Sequence, residues 1–398
     1  MESTLHTTFN SHCPVDVWEL VLREATFDNH LNNIPGDAED TSPGAVERFQ
    51  ELKATKRNVV LVCKTWNALG MRFLLEHVSL TRLSQLDRLY TVLGRDKSDG
   101  GCLGAFTVRL DIILTDIIPS VRYPLLQSYC RKVETLLRWL PNVDILYFKQ
   151  SSRPDSNSPA LSVLAPREWH DILVERVQGI RALGSPSICE NIDGALALSA
   201  EATFPSDLRF HQLRSLHLSS FTHSCLYAKL PSECFPVLDQ VIYDTRRLRW
   251  SVDDGGFLLA HGQKISTLHL IFHTEHWSLR RGYGVVLQEL CPNLQELQFR
   301  TAFWENIRRF RHTKVEVVVI YVPSDVKKDE VKAFLGELHG SFPSLKTLRL
   351  TREPGVQQPN SHALDILNLL ITRSTSRGIT VEDGNGRIIG HPASAWPV

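Results

Sequence analysis

One hydrophobic spacing recurs along the chain: a position often held by proline, then aliphatic or aromatic residues two, five and seven places later. Its clearest copies are Pro292-Asn-Leu294-Gln-Glu-Leu297-Gln-Phe299 and Pro343-Ser-Leu345-Lys-Thr-Leu348-Arg-Leu350. Leu213, Leu216 and Leu218 repeat it, as do Ile265, Leu268 and Leu270. Weaker copies are Leu75/Val78/Leu80, Leu103/Phe106/Val108, Val143/Leu146/Phe148, Leu238/Val241/Tyr243 and Val315/Val318/Ile320. Their first apolar positions at 213, 238, 265, 294, 315 and 345 lie 25, 27, 29, 21 and 30 residues apart. Residues two apart share one face of a strand, so the last two of each copy define a short strand with an apolar face. The first turns into the same core from the preceding loop. No such unit can bury its face alone, so the units must stack.

Between these strands the apolar period changes to that of a helix. Residues 120–140 carry Leu125, Tyr129, Val133, Leu136, Leu137 and Leu140 on one stripe. Residues 324–339 start with Ser324 as N-cap, present Val331, Phe334, Leu335 and Leu338, and end against Gly340. Residues 361–373 predict another helix. Strand and helix in alternation, at these spacings, lie in the leucine-rich-repeat range. The expected fold is therefore α/β, with a curved parallel sheet on a leucine-rich-repeat-like solenoid over 81–378. A non-repetitive α/β domain is the alternative. Units between 150 and 210 are obscure, and 150–159 reads as a surface loop.

The first eighty residues differ. Residues 14–25 predict a helix with Pro14 in its first turn, where a missing N–H costs little. On a helical wheel Pro14, Val15, Val17, Trp18, Leu20, Val21 and Leu22 span roughly 220°, opposite Asp16, Glu19 and Arg23. A helix resting on one core needs a narrower stripe, so burial on two sides is expected, by its own domain or by its domain together with a partner. Residues 58–75 are apolar nearly all round and predict a central helix. Between them, 29–44 is rich in Asn, Asp, Pro and Gly and reads as an acidic loop.

The segment Cys13-Pro14-Val15-Asp16-Val17-Trp18-Glu19-Leu20-Val21-Leu22 resembles the Leu-Pro-x-Glu opening of the F-box, with Cys13 for the usual Leu and Asp16 for the usual Glu. Val62-Cys63-Lys64-Thr65-Trp66 is similar to its closing Val-Cys-(Lys/Arg)-x-Trp segment. The arrangement resembles the F-box proteins of filamentous and mushroom-forming fungi. That resemblance implies a tail at 1–9, an F-box-like helical module at 10–80 with an acidic insertion at 28–47, the solenoid, and a C-terminal hairpin and tail at 379–398. It implies a substrate receptor of an SCF-type cullin ubiquitin ligase. A Skp-family adaptor would bind Pro14, Val15, Trp18, Leu20, Val62, Cys63 and Trp66, and the repeats would hold a target protein. A stand-alone repeat scaffold with a degenerate F-box is the alternative.

Composition changes this picture little. Lys and Arg total 44 and Asp and Glu total 44, so no net field favours nucleic acid, membrane or acidic substrates. Basic residues near tryptophan, at Arg249 and Trp250, Trp277, and Trp304 and Arg308, read as solvated repeat ends or as substrate contacts, with single-stranded nucleic acid the least favoured reading. The opening residues lack the charged and apolar regions of a signal peptide, and the scattered cysteines suit a reducing cytosol or nucleus. His269, His273 and His276 have a metal-like spacing but begin in a predicted strand and lack a complete ligand set, so no metal or other cofactor is expected. No phosphate loop, nucleophile elbow, dinucleotide fingerprint or H-E-x-x-H motif occurs. An enzyme is not expected.

Overall fold

A computed structural model describes residues 14–26, 43–114, 123–150, 179–184, 208–218, 227–244, 256–272, 283–300, 304–308, 310–322, 326–352, 361–384 and 386–389. Three helices come first: α1 Val15–Ala25, α2 Pro43–Val62 and α3 Lys64–Glu76. Eleven strands follow: β1 His77–Leu80, β2 Arg109–Leu114, β3 Ile145–Gln150, β4 Ala182–Gly184, β5 Ser215–Leu218, β6 Gln240–Asp244, β7 Thr267–Ile271, β8 Glu296–Arg300, β9 Val317–Val322, β10 Thr347–Arg352 and β11 Thr380–Asp383. They form one sheet in strict sequence order, and every neighbouring pair is parallel. The protein is thus α/β. Between strands lie α4 Leu83–Ser98, α5 Tyr123–Trp139, α6 Gly256–His261, α7 Tyr283–Leu290, α8 Trp304–Ile307, α9 Lys328–Ser341 and α10 Ser361–Thr375.

The register explains why the spacing recurs. Val78, Leu110, Leu146, Leu183, Leu216, Val241, Leu268, Leu297, Val318, Leu348 and Val381 stand side by side across all eleven strands. All but Val78 are buried, and each such side chain contributes about 1.5–3 kcal/mol of transfer free energy. Two residues on, Leu218, Tyr243, Leu270, Phe299, Ile320 and Leu350 form a second buried row. Helices supply the other side of this core, with Val133, Leu136 and Leu137 from α5, Phe334 and Leu338 from α9, and Ile366 and Leu370 from α10.

A backbone device repeats with the same period. Just before each strand from β2 to β9, one carbonyl accepts the two N–H groups that open the next strand. Val108 O takes Asp144 and Ile145, Asp239 O takes Ser266 and Thr267, and Glu316 O takes Lys346 and Thr347, at 2.8–3.1 Å. Asparagine ties two of the turns: Asn142 Nδ2 donates to Ala105 O at 2.6 Å and Asn293 Nδ2 to Gln263 O at 2.8 Å. These bonds satisfy groups that the irregular turns would otherwise bury unpaired.

Several expectations change. The run 58–75 is two helices, not one: Cys63 is extended (φ −160°, ψ 172°) and ends α2 before α3 begins. The run is also not central, because Leu61 and Val62 are 73% and 60% exposed. Helix α2 starts at Pro43, inside the stretch read as an acidic loop; 27–42 lie outside the described residues. Gly340 does not end α9, which continues to Ser341 and begins at Lys328; Ser324 lies outside the described residues. Leu103 and Phe106 sit in a 3₁₀ turn, and β2 starts later, with Leu110 and Ile112 facing the core. Strand β1 belongs to the sheet although it falls within 10–80. Strand β11 continues the sheet beyond residue 378, and its outer edge is met by Ile388 in an antiparallel bridge, the expected hairpin.

Candidate functional site

Helices α1, α2 and α3 have a small core of their own: Leu22, Val59 and Phe73, with Trp66 and Leu69 against it. Cys63 forms the corner that makes this possible. Its Sγ accepts the Trp66 N–H at 3.5 Å as a helix cap, and Asn67 Nδ2 donates to Val60 O at 2.8 Å across the break. Trp66 is thereby set against Trp18 of α1, with ring centroids 5.1 Å apart and planes tilted by 55°. Such an aromatic pair contributes about 0.5–1.5 kcal/mol beyond its burial. Arg72 of α3 pairs with Glu19 of α1, so two contacts fix α1 on α3.

This packing uses only one side of α1. Trp18 and Leu22 face inward, while Val17, Leu20 and Val21, on the adjoining part of the apolar arc, are 43%, 61% and 48% exposed. Val15 is exposed in the first turn and Leu61 and Val62 at the end of α2. Exposed aliphatic side chains thus gather on α1 and at the end of α2. Of the residues assigned to adaptor binding, Pro14, Val15, Leu20 and Val62 are exposed, and Trp18, Cys63 and Trp66 are half-buried. The structure brings Trp66 into contact with both Trp18 and Cys63. Val17, Val21 and Leu61 share this exposure, which the wide apolar arc of α1 already signalled for the first two.

The proposed substrate residues fare differently. Arg249, Trp250 and Trp277 lie outside the described residues. Trp304 is a correction: it is fully buried and packs edge-to-face on Phe334 at 5.1 Å, so it is core and touches no ligand at the surface. Arg308 is half-buried and bonds the Glu337 carboxylate, tying the end of α8 to α9. That bond holds the Glu337 carboxyl below its usual range. His269 is buried on β7, whereas His273 and His276 lie outside the described residues. Among the described residues no three His, Cys, Asp or Glu side chains could share a metal ion, and no helix is long and apolar enough to cross a membrane.

The sheet face opposite the helices carries the polar residues. On its first strands Asp111 accepts from Arg109 Nε at 3.0 Å and from His77 Nε2 at 2.7 Å. Burial alone would raise the Asp111 pKa, but the His77 hydrogen bond and the Arg109 charge together hold it below the ordinary carboxyl value. In mid-sheet Tyr147 and His217 stack at 5.6 Å across Gly184, whose Cβ would overlap the tyrosine ring. Towards the end, Arg349 bridges Glu382 at 3.1 Å and approaches Glu296 at 3.9 Å, all three half-buried. This face is charged and half-exposed at Glu296, Arg349 and Glu382 towards its β8–β11 end, and buried at Asp111, Tyr147, His217 and His269 on β2–β7.

Two buried histidines make stability pH-dependent. His261 Nε2 lies 3.1 Å from Tyr227 O and His312 Nε2 lies 2.9 Å from Cys291 O. Burial disfavours both imidazolium forms and lowers their pKa values below 6.5. Below that value the unfolded chain takes up protons that the folded rings refuse, so their contribution is full at higher pH and falls as the solution is acidified. Urea midpoints should drop from about pH 7.5 to about pH 5.5, and His312→Gln should flatten that drop. An unchanged slope in the variant would remove His312 from the account. Comparison of the chain with protein-family models and with curated proteins returns no match.

Proposed function

We propose that this chain is the substrate-recognition subunit of an SCF-type cullin ubiquitin ligase. In this reading residues 10–76 are an F-box-like module and β1–β11 with their helices are a leucine-rich-repeat-like solenoid. The observation that carries it is the exposed aliphatic surface of α1 and of the α2 end, on the two segments that resemble F-box motifs. A helix that keeps Val17, Leu20 and Val21 in water has a face prepared for a partner. The partner is a Skp-family adaptor, bound also through Pro14, Val15 and Val62, with Trp18, Cys63 and Trp66 holding the face in shape. A target protein would lie on the solenoid, at the half-exposed Glu296, Gln298, Arg349 and Glu382, with Arg249, Trp250 and Trp277 as further contacts. The chain itself performs no chemistry; tethering raises the effective concentration of target lysines near the conjugating enzyme. The cytoplasm or nucleus is where such a ligase works.

The test is capture of a purified Skp-family adaptor by the full chain and by a Leu20→Asp, Val62→Asp variant. Both side chains are about 60% exposed, so the variant keeps its fold while a charge enters the apolar face. Capture by the parent and loss of about tenfold or more in affinity by the variant are expected. No capture by a folded parent would leave the stand-alone repeat scaffold as the function.

A further inference from the structure

Strand β11 pairs with β10 on one side only, and on its other side the chain folds back over it. Thr380 N–H donates to Lys346 O at 2.8 Å, on the β10 side. Alternate residues of a strand turn their N–H and C=O to opposite edges, so Val381 and Asp383 turn theirs outward. Residues 386–389 take up three of those four groups. Ile389 N–H donates to Val381 O at 2.8 Å, Asp383 N–H to Arg387 O at 2.9 Å, and Gly386 N–H to Asp383 O at 3.0 Å. The Asp383 carboxylate accepts the Arg387 N–H at 2.8 Å and closes the turn. Gly386 holds φ at 77°, where a β-branched residue would be strained. Ile389 is 2% exposed and joins the core, so it anchors the segment, whereas Ile388 is 73% exposed.

We propose that residues 386–389 are an autoinhibitory edge cap, and that the edge they cover is a self-association site for a second copy of this chain. An uncovered strand edge is a template for pairing. A second copy fits because this edge is complementary to itself. Turned about a two-fold axis at Glu382, Asp383 N–H of one copy meets Val381 O of the other, and the reverse. The cap already uses that pattern: its antiparallel bridge between Glu382 and Ile388 is flanked by the bonds to Asp383 N–H and Val381 O. A two-fold contact closes on itself, so it yields a dimer and not a fibre. It sets two Glu382 side chains opposite each other, which weakens the pair, but Arg349 lies 3.1 Å from each carboxylate within its own chain. The site is at the far end of the sheet from β1 and the helices before it, so it stands whether or not the chain serves a ubiquitin ligase.

Light scattering of the full chain over a concentration series, beside a Gly386→Val, Ile389→Asp variant, tests this. The parent should keep the mass of one chain throughout. The variant strains the turn and expels its anchor, so its mass should approach that of two chains as concentration rises. A third protein adds Asp383→Pro to the variant. Proline there removes an N–H that faces away from β10, a position where a strand tolerates it, and should return the mass to one chain. A variant that stays monomeric with the parent's circular dichroism spectrum would overturn the proposal. So would a dimeric parent, a variant mass that grows past two chains, or association that survives Asp383→Pro. Gly386→Val alone leaves the core untouched and decides the matter if the double variant does not fold: it should associate where the parent does not.

Discussion

Asp111→Ala is expected to lower the unfolding free energy by roughly 3–5 kcal/mol, the cost of removing one partner from a buried ion pair. The Asp111, Arg109 and His77 side chains are 7%, 1% and 4% exposed, so water cannot replace the lost carboxylate. The variant takes the Asp111 carboxylate away from both the buried Arg109 guanidinium and the His77 ring. Replacing the pair by Arg109→Met, Asp111→Leu should cost much less, because the buried guanidinium is then removed together with the carboxylate. Urea denaturation of the three proteins at neutral pH measures both quantities. A loss below about 1 kcal/mol for Asp111→Ala, the range of exposed pairs, would refute the argument. The same carboxylate has an acid limb. Its pKa is lowered in the folded chain, so its contribution is present above the ordinary value of 3.8 and is lost as pH falls through the folded value.

Gly262→Ala should destabilise the protein by roughly 3 kcal/mol, the upper part of the overpacking range. A methyl group there would overlap the carbonyl oxygen of Leu290 at the end of α7 and press on Cys291 Sγ. The obstacle is main chain, which has no rotamer to change, and it is held by the neighbouring Asn293 to Gln263 bond. Gly104 stands in the same relation to the Trp139 carbonyl beside the Asn142 to Ala105 bond. Gly336, inside α9, meets nothing within 4 Å of an added Cβ. Gly336→Ala is therefore expected to stabilise by about 0.5–1 kcal/mol through helix propensity alone. Thermal melts of both variants provide the comparison, and equal effects would show that close approach is not what these turns require.

Most strands were legible because the two-five-seven spacing is the core itself: Leu294, Leu297 and Phe299 are three of its side chains, and all are buried. Where that signature thins, reading fails. Strand β4 offers only Ile180 and Leu183. At β2 a buried threonine, Thr107, takes the first place, while Leu103 and Phe106 imitate the pattern one turn too early. The break at Cys63 was invisible because 58–75 holds no proline, and its cap is a thiol. Trp304 beside Arg308 looked like an interface anchor, since residue types do not state which way a short helix turns its ring. His77, Arg109 and Asp111 alternate like a solvated strand face, yet they are buried. The exposed face of α1 was readable from an apolar arc too wide for one core, while the adaptor proposed for it rests on motif resemblance alone.

The strict order of the strands bears on how the chain is made. Each strand bonds only to those immediately before and after it in sequence, so a nascent chain can lay every new strand on an edge already in place. Among the described residues no strand has to wait for one synthesised long afterwards, which keeps the entropy cost of closing the loops low. The same order sets how damage travels. A lesion in a middle strand such as β6 divides the sheet in two, and each half meets water along a fresh edge. A lesion at β11 removes only the last layer, together with the Ile388 turn that covers it.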